Sequence, residues 1–140
     1  VRSERLRHHS VVLLVDIVNV EQVRRDFDSR SAQELPLLVA GRLLSAAREI
    51  DSVARLDEYR FGMLIEGPVS AADMAANGPR VVARCLMPYD GKPVACVPQV
   101  RVAQAAVPLH GVDADGVLRR LAGVLAAVPA DSRRAVFTLN

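Results

Sequence analysis

The hydrophobic and polar positions of this chain alternate between short strand-like runs and longer helical patterns. Residues 10–17, SVVLLVDI, form a continuous apolar run whose β-branched content predicts a central strand covered on both faces. Residues 18–27 predict a short helix. Apolar residues then recur at three- and four-residue steps from Leu35, which predicts an amphipathic helix ending near Ile50. Pro36 is expected in the first turn of that helix or just past it, where a proline is tolerated.

The second half of the chain predicts a hairpin followed by further strands and helices. The elements are, in order, strands at 53–56 and 61–66, a helix over 71–86, strands at 94–96 and 100–107, a helix over 114–127 and a strand at 135–139. Gly78 and Pro79 leave open whether the first of these helices spans its whole range or begins at Pro79. The order β-α-α-β-β-α-β-β-α-β predicts an α+β domain with a largely antiparallel sheet flanked by helices.

Composition narrows the class of protein without naming a ligand. The 140 residues suit one domain, and the 51% hydrophobic content indicates a globular core. No apolar run approaches the roughly 18 residues of a membrane helix. A net charge of +2 is too small to argue for nucleic acid. Cys85 and Cys96 lack metal-site spacing and are interpreted as free thiols. We therefore expect no metal, no cofactor, no nucleic-acid partner and no membrane contact by the domain itself.

Several stretches together resemble a known signalling domain. They are LLVDI in the first strand, VAGRLLSAAREIDSVARL in the long helix and second strand, FGMLIEG in the third strand, and HGVDADGVLRRL and RRAVF near the end. From about residue 10 to 137 the chain is similar to a GGDEF domain, the family of diguanylate cyclases, which condense two GTP into cyclic di-GMP. The signature should lie at the hairpin tip, where residues 57–61 read DEYRF and only Phe61 matches.

The substituted signature changes the chemistry that the resemblance implies. The family has two metal-binding carboxylates, at the end of the first strand and at the third signature position. Asp16 fills the first position, but Tyr59 fills the second, and a neutral phenol is a poor Mg²⁺ ligand. Asp57 and Glu58 replace glycines and add negative charge where a triphosphate would lie, while Arg60 takes the next position. Asp16 is therefore interpreted as bonding locally at a strand end rather than binding metal.

The nucleotide-binding positions implied by the resemblance are also changed. Arg24 and Gln33 stand where the family reads guanine with an Asn and an Asp. Glu21 and Pro129 stand where the family has phosphate-binding lysines. We therefore expect a vestigial active site without catalytic residues, and a chain that is not an enzyme.

An Arg-x-x-Asp motif is the feature that survives. Many of these cyclases bind their own product at such a motif, whose Asp lies six residues before the signature. Arg48 and Asp51 occupy that register here, and Arg80, with Arg84 behind it, is the candidate for the additional arginine of the site. A guanidinium can bind a phosphate or the Hoogsteen edge of guanine, and a carboxylate can accept from guanine N–H groups. The alternative is a surface Arg–Asp ion pair that contributes little.

Three functions remain open from the sequence, and a fourth, an active cyclase, would require metal binding without the second carboxylate. The first is a catalytically inactive GGDEF-type domain that binds cyclic di-GMP through Arg48, Asp51 and Arg80 and relays the signal. The second is a ligand-free dimerisation or protein-interaction scaffold, in which Tyr59 and Arg60 at the hairpin tip contact a partner. The third is a residual GTP-binding regulator.

The organisation of the longer protein is a further expectation. Residues 1–9 are interpreted as a linker continuing from an upstream sensor domain, and residues 10–140 as the degenerate GGDEF domain. Expected partners are cyclic di-GMP, an attached or separate protein domain, and a second copy of the chain. The expected location is cytoplasmic, as part of a larger membrane-bound sensor in one version of this interpretation.

Overall fold

The computed structural model describes residues 9–49, 51–66, 71–108 and 113–139. Most of the predicted linker therefore lies outside the described residues. The elements are β1 (His9–Ile17), α1 (Val20–Asp26), α2 (Ser29–Ala46), β2 (Ser52–Asp57), β3 (Arg60–Ile65), α3 (Ala71–Leu86), a 3-10 turn (Val94–Cys96), β4 (Val100–Pro108), α4 (Ala114–Ala126) and β5 (Val136–Leu139).

The five strands form one sheet in the order β2-β3-β1-β4-β5. β1 pairs antiparallel with both β3 and β4, and β2 pairs antiparallel with β3. β5 is the exception, because it pairs parallel to β4. The predicted α+β class with a largely antiparallel sheet is confirmed.

The central strand separates two apolar layers. Val11, Leu13 and Val15 are buried on one face, in a cluster that includes residues of α1, α2 and α3. Val12 and Leu14 are buried on the other face with residues of α4 and β4. Alternate side chains of β1 therefore enter opposite layers, which explains why this strand is apolar at almost every position.

Three predictions about individual elements were wrong. Val94–Cys96 is a 3-10 turn and not a strand, because the Cys96 N–H turns back to the Pro93 carbonyl at 3.0 Å. The amphipathic helix ends at Ala46, before the predicted end near residue 50, and Ala47 is already extended. Pro36 lies inside the helix rather than near its first turn, because Asp28 caps the Ser31 N–H and starts the helix at Ser29.

The open question about α3 is resolved by a contact from the sheet. α3 runs without a break through Gly78 and Pro79. The Gly78 N–H donates to the side-chain oxygen of buried Gln104 at 2.9 Å, and the Gln104 amide donates to the Thr138 hydroxyl at 3.1 Å. A Cβ on Gly78 would lie 2.5 Å from a methyl of Val136. Glycine therefore lets the helix lie directly against β4 and β5.

Candidate functional site

The hairpin tip that carries the altered signature is held by its own polar groups. The Arg55 guanidinium donates to the carbonyls of Glu58 at 2.7 Å and Asp57 at 3.3 Å. The Asp57 carboxylate accepts from the Glu58 N–H at 2.8 Å, and the register between β2 and β3 shifts just before Asp57. No residue of the tip has a positive φ, since among the described residues only Gly91 does. The tip therefore requires no glycine.

Asp16, at the position of the family's first metal carboxylate, is paired with Arg60. The two residues are cross-strand neighbours on β1 and β3, and their side chains form two hydrogen bonds of 2.6 and 2.9 Å. Both side chains are partly buried. The hydrogen bond to Asp16 raises the pKa of the Arg60 guanidinium. Both oxygens of Asp16 thus face a fixed cation.

The position of the second metal carboxylate belongs to a different cluster. The Arg24 guanidinium donates to the Glu21 carboxylate and, at 3.5 Å, to the Tyr59 hydroxyl. The hydrogen bond to Glu21 is the main cause of the raised pKa of Arg24. Gln33 is exposed on α2 and takes no part in these bonds. The structure therefore places Arg24 beside Tyr59, whereas Gln33 does not join this cluster.

These contacts test whether a metal fits the positions that the resemblance assigns to an active site. Mg²⁺ binds oxygen ligands, commonly carboxylates. Asp16 already uses both oxygens on Arg60, and Tyr59 offers a phenol that accepts from Arg24. Within the described ranges no group of three or more His, Cys, Asp or Glu residues could hold a metal. The side chains present do not fit the two-metal site that the resemblance implies.

The Arg-x-x-Asp motif forms a compact loop directly after α2. The Asp51 carboxylate accepts four hydrogen bonds: from the Arg48 backbone N–H at 3.0 Å, from the Arg48 guanidinium twice at 3.2 Å, and from the Glu66 N–H at 3.1 Å. The Arg48 guanidinium also donates to the Glu66 carbonyl. Asp51 thereby joins the end of α2 to the end of β3.

The two side chains of the motif differ in exposure and charge environment. The Asp51 side chain is 3% exposed, while that of Arg48 is 55% exposed. Burial acts to raise the pKa of Asp51, but the hydrogen bonds from Arg48 and Glu66 outweigh it, so the pKa lies below its ordinary value. The side-chain hydrogen bond to Asp51 raises the pKa of the Arg48 guanidinium. Asp51 is a fixed anion, whereas Arg48 stays more than half exposed while its guanidinium bonds to Asp51 and Glu66.

Arg48, Asp51 and Arg80 line one open cleft, which we call the Arg48 cleft, with a volume of about 590 Å³. The cleft lies between the end of α2, strand β3 and one face of α3. Its other residues include Ser45, Met63, Ile65, Asp73, Asn77 and Arg84. The three residues that the sequence selected from distant positions therefore share a surface with an apolar floor.

The sequence did not identify Asn77, Met63 and Ile65 as part of this cleft. Asn77, Arg80 and Arg84 follow one another at three- and four-residue steps, so they share a face of α3. That signal depends on a helix that continues through the central proline. Met63 and Ile65 alternate on β3 and reach the cleft through the period-two geometry of a strand.

Solved structures with the same fold are GGDEF domains. The GGDEF domain of TpbB, also called YfiN, from Pseudomonas aeruginosa is 20% identical and has a TM-score of 0.79, with 99% of this chain and 81% of that chain covered. An EAL/GGDEF domain protein from M. capsulatus is 20% identical with a TM-score of 0.75, covering 95% of this chain and 86% of the other.

A third similar structure contains a ligand. The GGDEF domain of DgcB from Caulobacter crescentus, in complex with c-di-GMP, is 15% identical with a TM-score of 0.74, covering 98% of this chain and 84% of that chain. No family model and no curated protein matches the sequence. The chain has the GGDEF-domain fold, as the sequence resemblance predicted. None of the helices described is long and apolar enough to span a membrane.

Proposed function

We propose that this chain is a catalytically inactive GGDEF-type signalling domain that binds cyclic di-GMP in the Arg48 cleft and relays the signal. The observation that carries the proposal is the convergence of Arg48, Asp51 and Arg80 on one cleft of about 590 Å³. That volume lies within the range of small-molecule sites, roughly 300–1,000 Å³. The c-di-GMP complex of the DgcB GGDEF domain supports the ability of the fold to hold this ligand.

The exposure of each side chain suggests how the ligand is recognised. Asp51 stays in place because two backbone N–H groups hold it, and its carboxylate can accept from guanine N1 and N2. Arg48 is more than half exposed, so its guanidinium can exchange its bonds to Asp51 and Glu66 for a phosphate or the guanine Hoogsteen edge. Arg80 and Arg84 add positive charge on the opposite wall, which favours a phosphodiester ligand.

The loss of catalysis rests on the other set of residues. Both carboxylate oxygens of Asp16 accept hydrogen bonds from Arg60, and Tyr59 stands where the family has its second metal-binding carboxylate. Asp57 and Glu58 add two negative charges at the tip, which disfavours a triphosphate. The domain therefore signals by binding rather than by synthesis. It would act in the cytoplasm, attached to an upstream sensor domain or an effector.

The bonding of the motif also favours a second candidate function, a ligand-free interaction scaffold. Arg48 and Asp51 already satisfy one another and join α2 to β3. A purely structural role would preserve the same two residues. The hairpin tip, with Tyr59 and Arg60, would then contact another protein or a second copy of the chain. A third candidate, the residual GTP-binding regulator, is tested by the same experiment.

Calorimetric titration with cyclic di-GMP distinguishes these functions. We expect micromolar binding by the wild type and at least a tenfold loss (about 1.4 kcal/mol) in Arg80→Ala. Arg80 is the sharper site to change, because it takes no part in the bonds that join Arg48 to Asp51. Arg119→Ala is the matched control, since Arg119 is exposed on α4 across the sheet. Arg48→Ala should also weaken binding by about tenfold.

Other outcomes select other functions. Flat titrations up to about 1 mM cyclic di-GMP, which would mean a binding free energy weaker than about −4 kcal/mol, would favour the scaffold. Mg²⁺-dependent binding of GTP that is insensitive to Arg48→Ala would favour the GTP-binding regulator. Equal losses in Arg80→Ala and Arg119→Ala would show non-specific attraction to positive charge.

A further inference from the structure

A second cleft lies at the opposite side of α3 and shares no lining residue with the Arg48 cleft. It has a volume of about 760 Å³ and is bounded by the start of α1, the C-terminal part of α3, the start of β4 and residues 130–135. We call it the Arg101 cleft. We propose that it is a docking site for an acidic segment of a partner protein, one that carries a large apolar side chain between its carboxylates.

The charged residues that line this cleft are all basic. Arg101, Arg133 and Arg134 line it, and none of its described lining residues is acidic. Within the described ranges these three arginines form no salt bridge, in contrast to Arg48 and Arg60, which each face a carboxylate. Arginines without a carboxylate partner among the described residues create a field that attracts carboxylates.

Two of the three arginines are held in position by neutral groups. The Arg101 guanidinium donates to the carbonyls of Ala130 at 3.1 Å and Ser132 at 3.0 Å. The Arg134 guanidinium donates to the Val136 carbonyl at 3.0 Å. The Arg134 guanidinium also lies over the Phe137 ring, 4.8 Å from its centroid. Because carbonyls and an aromatic ring carry no net charge, these contacts order the arginines without neutralising them. Less side-chain entropy is then lost on binding.

Apolar and amide groups complete the cleft. Val18 and Leu86 line it, and both are large apolar side chains that are more than 40% exposed. Gln22 and Gln99 supply amide groups able to bond to a peptide backbone. Buried Asn19 fixes the floor of the cleft. Its side chain accepts from the Gln99 N–H at 2.9 Å and donates to the Val97 carbonyl at 3.0 Å. Arg beside exposed apolar side chains is typical of protein interfaces.

The arrangement favours an acidic peptide over a free phosphate. A phosphate group is best bound by guanidinium forks that converge with all donors free. Here Arg101 and Arg134 already use N–H donors on backbone carbonyls. They therefore supply positive charge but not a complete guanidinium fork. The cleft is also far larger than a single phosphate ion, and a bound phosphate would leave its apolar wall exposed to water.

A selection from a randomised dodecapeptide phage library tests the proposal without knowledge of the partner. We expect selected peptides to combine several acidic residues with one large apolar residue. The tightest peptide, labelled with fluorescein, would then be measured by fluorescence anisotropy. Arg133→Glu should weaken its binding by at least about tenfold and Leu86→Ser by several-fold, while Arg119→Glu, an exposed charge reversal on α4, should leave it unchanged.

The remaining variants separate this proposal from its alternatives. Arg80→Ala, which alters the Arg48 cleft, should leave peptide binding unchanged, so the two proposals can fail independently. Absence of acidic enrichment, or equal weakening by Arg133→Glu and Arg119→Glu, would overturn the docking site. Displacement of the peptide by pyrophosphate at concentrations at or below those of the unlabelled peptide would instead identify a phosphate site and also overturn it. Circular dichroism would verify that each variant is folded.

Discussion

Replacing Asp51 with asparagine separates the structural role of this residue from its proposed role in ligand binding. The Asp51 side chain is 3% exposed and accepts four hydrogen bonds, two of them from backbone N–H groups. Asparagine has the same shape but only one acceptor oxygen. Its amide nitrogen would face donors of Arg48 or Glu66, whichever way it is turned. We therefore expect Asp51→Asn to destabilise the fold in the absence of any ligand.

The magnitude follows from the number of donors left without an acceptor. Hydrogen bonds to a charged group contribute about 1.5–3 kcal/mol, and a buried N–H without an acceptor costs about 1–3 kcal/mol. Since the Arg48 side chain is half exposed and can turn to water, mainly the backbone bonds count. The expected loss is about 2–4 kcal/mol. For 140 residues this corresponds to a fall in Tm of about 7–14 °C.

The assay is urea denaturation followed by circular dichroism, repeated across pH. The pKa of Asp51 in the folded chain lies below its ordinary value. Its contribution is therefore fully present above the unfolded pKa of about 3.9 and is lost as pH falls through the folded pKa. The difference in stability between wild type and Asp51→Asn should stay constant from about pH 5 to 8 and narrow below about pH 4.

Two variants serve as comparisons. Arg48→Ala removes only the exposed partner, so it should cost about 1 kcal/mol or less. Asp131→Asn changes an exposed carboxylate in the turn after α4 and should alter stability by less than about 0.5 kcal/mol. A stability of Asp51→Asn equal to that of the wild type, or an equal cost for Arg48→Ala, would refute the assignment of Asp51 as the anchor of the loop.

Three further predictions concern other parts of the molecule. Arg60→Ala leaves the β1 carboxylate half-buried and unpaired, so urea denaturation should show a loss of about 1–2 kcal/mol; unchanged stability would contradict this. Gly78→Ala should cost about 1–3 kcal/mol because its Cβ would meet Val136, whereas Gly41→Ala, with open space around it, should gain about 0.5–1 kcal/mol; the opposite order would refute the packing argument. Burial raises the pKa of Cys85 to about 11, so iodoacetamide at pH 8 should label this thiol only after unfolding. Mass spectrometry would measure the labelling, and rapid labelling of the native chain would contradict the burial.

Most of the fold could be predicted because its signals are local. The apolar run of β1 predicts a strand covered on both faces, and the structure confirms it. The continuity of α3 could not be predicted, because the acceptor for the Gly78 N–H is Gln104, which is 26 residues away on β4. Residues 94–96 have strand-like composition, but the preceding Pro93 directs a turn.

The part of the candidate site that could be predicted is the part defined by spacing along the sequence. The spacing of Arg48 and Asp51 from the hairpin tip identified the motif, and the structure places both on one cleft with Arg80. The pairing of Asp16 with Arg60 could not be predicted, because it depends on the register between β1 and β3, which only the folded sheet defines. The sequence also carried no signal for the Arg101 cleft, whose arginines come from separate segments.

The two arginine–carboxylate pairs of this chain differ in a way that bears on the proposed function. Asp16 and Arg60 are both partly buried, and each oxygen of Asp16 meets a nitrogen of the same guanidinium, so the pair is closed to a third group. In the Arg48 pair only the carboxylate is buried, and the backbone holds it even when the guanidinium leaves.

Under the proposed function, this asymmetry would explain why metal binding at Asp16 is lost while ligand binding at Arg48 is kept. A metal would have to displace Arg60 from Asp16 and would leave a half-buried cation unpaired. A nucleotide in the Arg48 cleft has only to draw the exposed Arg48 guanidinium from Asp51 and the Glu66 carbonyl onto a phosphate, while Asp51 keeps its two backbone donors. Because that exchange gives up an existing ion pair, Arg80 and Arg84 must supply the net attraction. The affinity for cyclic di-GMP should therefore depend at least as strongly on the arginines of α3 as on Arg48 itself.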